Sequence, residues 1–128
     1  MTIQPILLDT NAFIRMIQSP ELLTPKVQKA IQITELIVSI ASPWEMTIKT
    51  SLGKLNLRYS VQEILDRHSH IISLLPIEPK HLATLSTLPH HHRDPFDRII
   101  IAQAITESIP VVSSDEAFDG YGVRRIWE

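Results

Sequence analysis

Three short apolar runs constrain what this chain can become: Pro5-Ile6-Leu7-Leu8, Glu35-Leu36-Ile37-Val38-Ser39-Ile40 and Ile109-Pro110-Val111-Val112-Ser113. Each is too short to be a helix of its own and reads as a buried strand, the second on its β-branched residues as well. Each is followed by an acid: Asp9 directly after the first, Glu45 after the second and Asp115 after the third. The segments between them carry apolar residues at helical spacing. Parallel strands need a crossover of about helix length, so this order predicts an α/β protein, a three-layer α/β/α sandwich around a mainly parallel sheet. Parallel strands end on one edge, and that edge is where open α/β sheets collect ligands.

The helices carry their own punctuation. Asn11 to Gln18 places Phe13, Ile14 and Ile17 on one face and closes at Ser19-Pro20. Thr24-Pro25 reads as an N-cap with proline at the first helical position, opening Lys26 to Gln32. Ser42-Pro43-Trp44-Glu45 has the spacing of a capping box and predicts a third helix that runs to about Leu52 and stops at Gly53. After a polar connector, Val61 to Ile72 reads as a fourth helix. Ser73 to Ile77 is a short strand pushed to an edge by its proline, and Pro79 to Leu88 is another short helix. Beyond the polar loop Pro89-His90-His91-His92-Arg93, Asp94-Pro95 caps a buried helix that passes through Ile99-Ile100-Ile101-Ala102 to about Ser108. Val123 to Trp127 is a last edge strand. No repeat, linker or low-complexity tract interrupts the series.

Length and composition narrow the function. At 128 residues the chain is expected to form one domain spanning 1–128, able to fold on packing alone. It has no cysteine, so any metal site must use oxygen or imidazole ligands, and the chain suits a reducing, cytoplasmic setting. No apolar run approaches the roughly 18 residues that span a bilayer, so no membrane role is expected. A net charge of -2 gives no overall basic surface, and nucleic-acid binding would have to rest on local patches.

Singly, the acids have ordinary explanations. Glu45 and Asp97 both stand third in a helix behind a cap and a proline, where a carboxylate meets unpaired N–H groups, and Asp9 and Asp115 are suited to turns or caps. Jointly they suggest more. Asp9, Glu45 and Asp115 follow the three clearest strands, and Asp97 joins them if its helix begins at the same edge. Four converging carboxylates would repel one another by several kcal/mol unless a cation neutralised them. Oxygen ligation selects Mg²⁺ or Mn²⁺, which supports phosphodiester hydrolysis.

The combination Leu8-Asp9-Thr10-Asn11, Ser42 to Lys49, Leu52-Gly53-Lys54-Leu55, His91 to Arg98 and Ser114-Asp115 resembles the PIN-domain family, and more narrowly the VapC-type toxins of type II toxin–antitoxin systems. The resemblance covers almost the whole chain, in order. It implies a Mg²⁺- or Mn²⁺-dependent endoribonuclease acting on RNA, a homodimer, and inhibition by a small antitoxin protein. The family's acids fall on Asp9, Glu45, Asp97 and Asp115. Asp94 and Asp119 are auxiliaries, and Asn11 and Ser113 take positions where small polar residues orient the acids.

On this reading Asp9, Asp97 and Asp115 are the main metal-facing carboxylates, and Glu45 holds a metal-associated or attacking water. Lys49, four residues after Glu45, is either an ordinary helix pair or a phosphate contact. Arg15, Arg93 and Arg98 are candidates for RNA phosphates. The histidine run is expected to be a polar loop, because loop neighbours do not converge as ligands on one helix face would. Trp44 and Phe96 are expected to anchor the core rather than stack on bases. Two alternatives compete: a non-catalytic PIN-like module that binds RNA or protein, and a receiver-like Mg²⁺-binding signalling domain. The receiver wants a pair of adjacent early acids and a lysine after a late strand, both absent here.

Overall fold

Residue Leu7 sits at the centre of the protein, aligned with Ile37 on one side and Val111 on the other. Its strand, β1 (Pro5–Leu8), lies between β2 (Glu35–Ser39) and β4 (Val111–Val112), with β3 (Ile72–Leu75) and β5 (Arg125–Ile126) at the edges. All five strands are parallel, in the order β3-β2-β1-β4-β5. This is the computed structural model of the protein, and it describes residues 4–128.

Side chains alternate across the strands, and each face finds its own helices. Ile6 and Leu8 join Phe13 of α1 (Thr10–Gln18), Val27 of α2 (Pro25–Ile33), Met46 of α3 (Ala41–Ser51) and Ile64 of α4 (Val61–His68). Leu7 and Val111 join Ile99 to Ala102 of α6 (Pro95–Glu107), against which α5 (Pro79–Ser86) packs. The result is the expected three-layer sandwich. Helix α6 is buried from Ile99 to Ala104, which explains why its run of three isoleucines shows no polar face. Among the described residues, no helix is long and apolar enough to cross a membrane.

Several local expectations change. Helix α3 begins at Ala41, directly off β2, so Ser42 is not its cap and Glu45 is not its third residue. The hydroxyl of Ser39 accepts from the Ala41 N–H instead, at 3.0 Å, while the Ser42 hydroxyl bonds Thr10 Oγ1 at 2.9 Å and ties α3 to α1. Helix α4 stops at His68, because Ile72 is needed as the first residue of β3, opposite Leu36. Strands β4 and β5 are two residues each, shorter than their apolar runs, since only Leu7 and Leu8 of β1 extend past Pro110 to meet β4. The caps Thr24 and Asp94 are as read: Thr24 Oγ1 accepts from Val27 N–H, and Asp94 Oδ1 from Phe96 N–H at 2.8 Å.

Candidate functional site

Chain direction reverses across the sheet at β1. The chain moves outward from β1 to β2 and β3, then returns to place β4 and β5 on the other side. A crevice therefore opens between the carboxyl ends of β1 and β4, the topological switch point. Asp9 follows β1 there, and its N–H donates to Val112 O at 3.0 Å. Ser113 and Asp115 follow β4. Helix α6 leads into β4 and must run opposite to the strands, so its first turn, with Asp97, lies at the same edge. Helix α3 starts there as well.

Two of the acids, Asp9 and Asp115, are held by backbone N–H groups just after them. Asp9 caps α1, with Oδ1 accepting from Ala12 N–H at 2.8 Å. It is 4% exposed, and burial pushes its carboxyl up to about 6, against hydrogen bonds from Ser113 and Ala12 and the charge of Arg15. Asp115 caps the 3-10 turn Glu116–Tyr121 through Ala117 N–H at 2.9 Å, and its own N–H donates to Ser113 Oγ at 3.0 Å. Asp97 is pushed up to about 7, first by burial, then by the negative charges of Asp94 and Asp9 and, more weakly, Glu45, against the opposing influence of His92. The charges of Asp94, Asp9 and Glu45 act on Asp97 because these acids lie close together at this edge, where burial weakens solvent screening.

Glu45 is buried and enters from α3. Lys49 Nζ lies 2.6 Å from its Oε2, one helical turn on, while Oε1 is buried without any hydrogen-bond partner. An unpartnered carboxylate oxygen inside a pocket of acids leaves a place for a cation or a water. Lys49 also feels Asp94 and Asp97, which with Glu45 hold its ammonium above the usual lysine range.

His92 also reaches the cluster. Its Nε2 lies 2.7 Å from Asp115 Oδ2 and 3.2 Å from Asp97 Oδ2, and one ligand atom from each of the three lies within 4.8 Å of the others. The loop that carries it is tightly held. Arg98 donates through Nη1 to Pro89 O at 2.9 Å and to His92 O at 3.4 Å, and through Nη2 to Leu88 O at 3.4 Å. The His92 N–H donates to the Tyr121 hydroxyl at 2.7 Å. Gly120 lets His91 pack close: a Cβ there would come within 3.1 Å of the His91 ring.

The other predicted residues fall at varied distances from this pocket. Asn11 is exposed on the first turn of α1. Asp94 is occupied as the α6 cap. Asp119 is exposed and paired with Arg125, whose Nε is 2.9 Å away. Arg15 lies over the Trp127 ring at 5.5 Å and acts electrostatically on Asp9. Arg93 is exposed beside an apolar cavity of about 350 Å³ shared with Leu85, His90 and Pro95. Trp44 corrects an expectation: it is 56% exposed, its ring packed edge to face on Phe96 at 4.9 Å, because the first turn of α3 presents it outward. Phe96 is half-buried against the α6 side of the core, as expected. A second acid–histidine group, Glu78, His81 and Glu107, closes the α5–α6 seam, where Lys80 lies 2.9 Å from Glu107 and neutralises it.

Residues 6–123 match the PIN domain. The chain belongs to the PIN-domain family. No curated protein matches it in sequence. Among solved structures, this PIN domain is similar to DNA-bound VapBC from Salmonella typhimurium, at a TM-score of 0.73 and 14% identity over 97% of this chain and 98% of that one. It is similar also to VapBC2 from Rickettsia felis bound to a DNA fragment from their promoter, at 0.70 and 14% over 98% and 100%. FitAcB from Neisseria gonorrhoeae aligns at 0.67 and 18% over 94% and 96%. At these identities the likeness concerns the fold.

One residue of the PIN domain's pocket escaped the sequence reading. The loop assignment for the histidine run is right, but His92 points into the acids, and its partner Asp115 is 23 residues away. The one local signal was its place two residues ahead of the α6 cap, where its Nδ1 accepts the Asp94 N–H at 3.1 Å.

Proposed function

We propose that this PIN domain is a metal-dependent endoribonuclease of the VapC type, with Asp9, Asp97 and Asp115 as the carboxylates that hold Mg²⁺ or Mn²⁺. The observation that carries this reading is the convergence of Asp9, Asp97 and Asp115 on one edge, with the first two raised above the usual aspartate range, beside a partnerless Glu45 Oε1. The donor set is oxygen and suits a hard divalent ion. When bound, the ion supplies positive charge against the pocket acids and the scissile phosphate and acts as a Lewis acid.

The remaining work belongs to side chains. Ser113 and the Ala12 N–H fix Asp9, and the Ala117 N–H fixes Asp115, so neither needs to reorganise. Glu45 orients a water through Oε1 and takes its proton as the oxygen attacks phosphorus and the opposite P–O bond breaks, the leaving ribose oxygen taking a proton from solvent. Lys49 holds Glu45 through Oε2, which leaves Oε1 aimed into the pocket. Arg15 and Arg93 contact RNA phosphates, Asn11 and Asp119 act as auxiliaries at the pocket margin, and Arg98 shapes the loop beside it. The likeness to VapBC and FitAcB, with the sequence resemblance to VapC-type toxins, supports a small antitoxin partner, and a homodimer follows from the sequence resemblance alone.

Purified protein is expected to cut RNA with Mg²⁺ or Mn²⁺ and to stop with chelator or with Asp9→Asn. Cleavage persisting in chelator and in Asp9→Asn alike would reject the assignment. Sequencing of RNA ends after controlled expression of active and Asp97→Asn protein identifies the target. A folded protein that binds RNA without cutting it under any divalent ion would favour the non-catalytic module instead.

A further inference from the structure

The hydrogen bonds around His92 fix which of its nitrogens carries the proton. Nδ1 faces the Asp94 N–H at 3.1 Å, a donor, so Nδ1 must be bare. The proton is then on Nε2, directed at Asp115 Oδ2 at 2.7 Å with Asp97 Oδ2 at 3.2 Å. A nitrogen bearing a proton has no lone pair for a metal, so His92 in this pose cannot be a ligand, although its position among the acids is that of one. What it does is bridge, with one N–H, two carboxylates that would otherwise face each other uncompensated.

The pose is built rather than incidental. The ring is 15% exposed and packs edge to face on Phe118 at 6.0 Å. Its backbone is held at both ends, by the Tyr121 hydroxyl at the N–H and by Arg98 at the carbonyl, which Tyr121 and Arg98 further link at 3.4 Å. Only rotation of the side chain can release the acids while that frame stays in place.

We infer that His92 is a positioning residue that stands in for the cation: its Nε2–H bridges Asp97 and Asp115 while the pocket holds no ion, and yields them when a divalent ion binds. This rests on the metal-binding reading proposed above. The consequence is a competition. Histidine and ion draw on the same oxygens, so the bridge lowers metal affinity while keeping the metal-free pocket assembled.

The test is calorimetric titration of Mn²⁺ into wild type, His92→Ala and His92→Gln, with melting temperature measured with and without the ion. His92→Ala is expected to bind Mn²⁺ about tenfold more tightly, the scale of one lost competing hydrogen bond to a charged group. It should also melt lower than wild type without the ion and recover part of that deficit with it. His92→Gln keeps an N–H donor and should stay nearer wild type. Weaker binding by His92→Ala would make the histidine a ligand, and unchanged binding would make it a structural residue; either overturns the inference while leaving the metal site standing. Absence of Mn²⁺ binding in all three proteins would remove the metal-binding reading and this inference together. Wild-type protein alone gives a second check: ring ¹⁵N shifts should show the Nε2–H form without metal, with that signal moving on addition of Mg²⁺. The Nδ1–H form would overturn the bridge even if His92→Ala does not fold.

Discussion

Glu45 and Lys49 form an unequal pair: the lysine ammonium holds one oxygen of a buried carboxylate at 2.6 Å and leaves the other with no partner. An exposed i, i+4 pair contributes only a few tenths of a kcal/mol. Here one member is buried, so removing the other strands a charge. Lys49→Met is expected to destabilise the metal-free protein by about 1–3 kcal/mol in urea unfolding, because the buried Glu45 then loses its one charged partner. A loss below about 0.5 kcal/mol would mean that Lys49 is a plain surface pair. Glu45→Gln should relieve most of the Lys49→Met penalty in a double-mutant cycle, since no charge remains to strand.

Asp97 is held in a site that disfavours its charge, so function and stability should diverge there. Asn keeps the shape and an acceptor for His92 while ending the repulsion from Asp94, Asp9 and Glu45. We expect Asp97→Asn to raise the stability of chelated protein at pH 7.5 by about 1 kcal/mol or more, on the scale of one pKa unit, and to cut RNA cleavage by about 10²-fold or more. Equal or lower stability would show that the acids do not repel in the folded state.

Much of the local architecture was readable because it is written in neighbouring residues. Thr24-Pro25 and Asp94-Pro95 are caps whose acceptor and donor lie within three residues, and the β1 run needed no context to be seen as buried. The same grammar misled at Ser42. Its S-x-x-E spacing is that of a capping box, but β2 delivers the chain already turning at Ala41, so Ser42 faces Thr10, 32 residues away. His92 and Trp44 were illegible for a related reason. Their surroundings come from Asp115, Tyr121 and Phe96, and a histidine among histidines or a tryptophan near a helix start carries no mark of distant partners.

Arg98 illustrates a side chain whose charge is used inside the protein. Its guanidinium reaches the carbonyls of Leu88, Pro89 and His92 and the Tyr121 hydroxyl, contacts that require a fork. Arg98→Ala and Arg98→Lys should both loosen residues 88–92, seen as faster amide exchange there than in α6. A direct role in RNA binding alone would instead weaken binding and leave exchange untouched. The Lys variant is the sharper of the two, because it keeps the charge and loses the geometry.

The metal-free pocket should also make stability depend on pH in a definite direction. Asp9 and Asp97 are pushed from the ordinary aspartate value of 3.8 to about 6 and about 7, so between those limits the folded protein binds more protons than the unfolded chain. Their contribution is then fully present below about pH 4 and is lost as pH rises through 6 to 7. In chelator, unfolding free energy should therefore fall between pH 5 and pH 7.5, by a few kcal/mol given that one pKa unit corresponds to about 1.4 kcal/mol. Saturating Mg²⁺ or Mn²⁺ should flatten or reverse that slope, since a bound cation favours the ionised acids and lowers their pKa values. Denaturant titrations at the two pH values, each with chelator and with metal, separate the contributions. A chelated protein more stable at pH 7.5 than at pH 5 would mean that the acids are already compensated without an ion, and the electrostatic case for a metal in this pocket would fail.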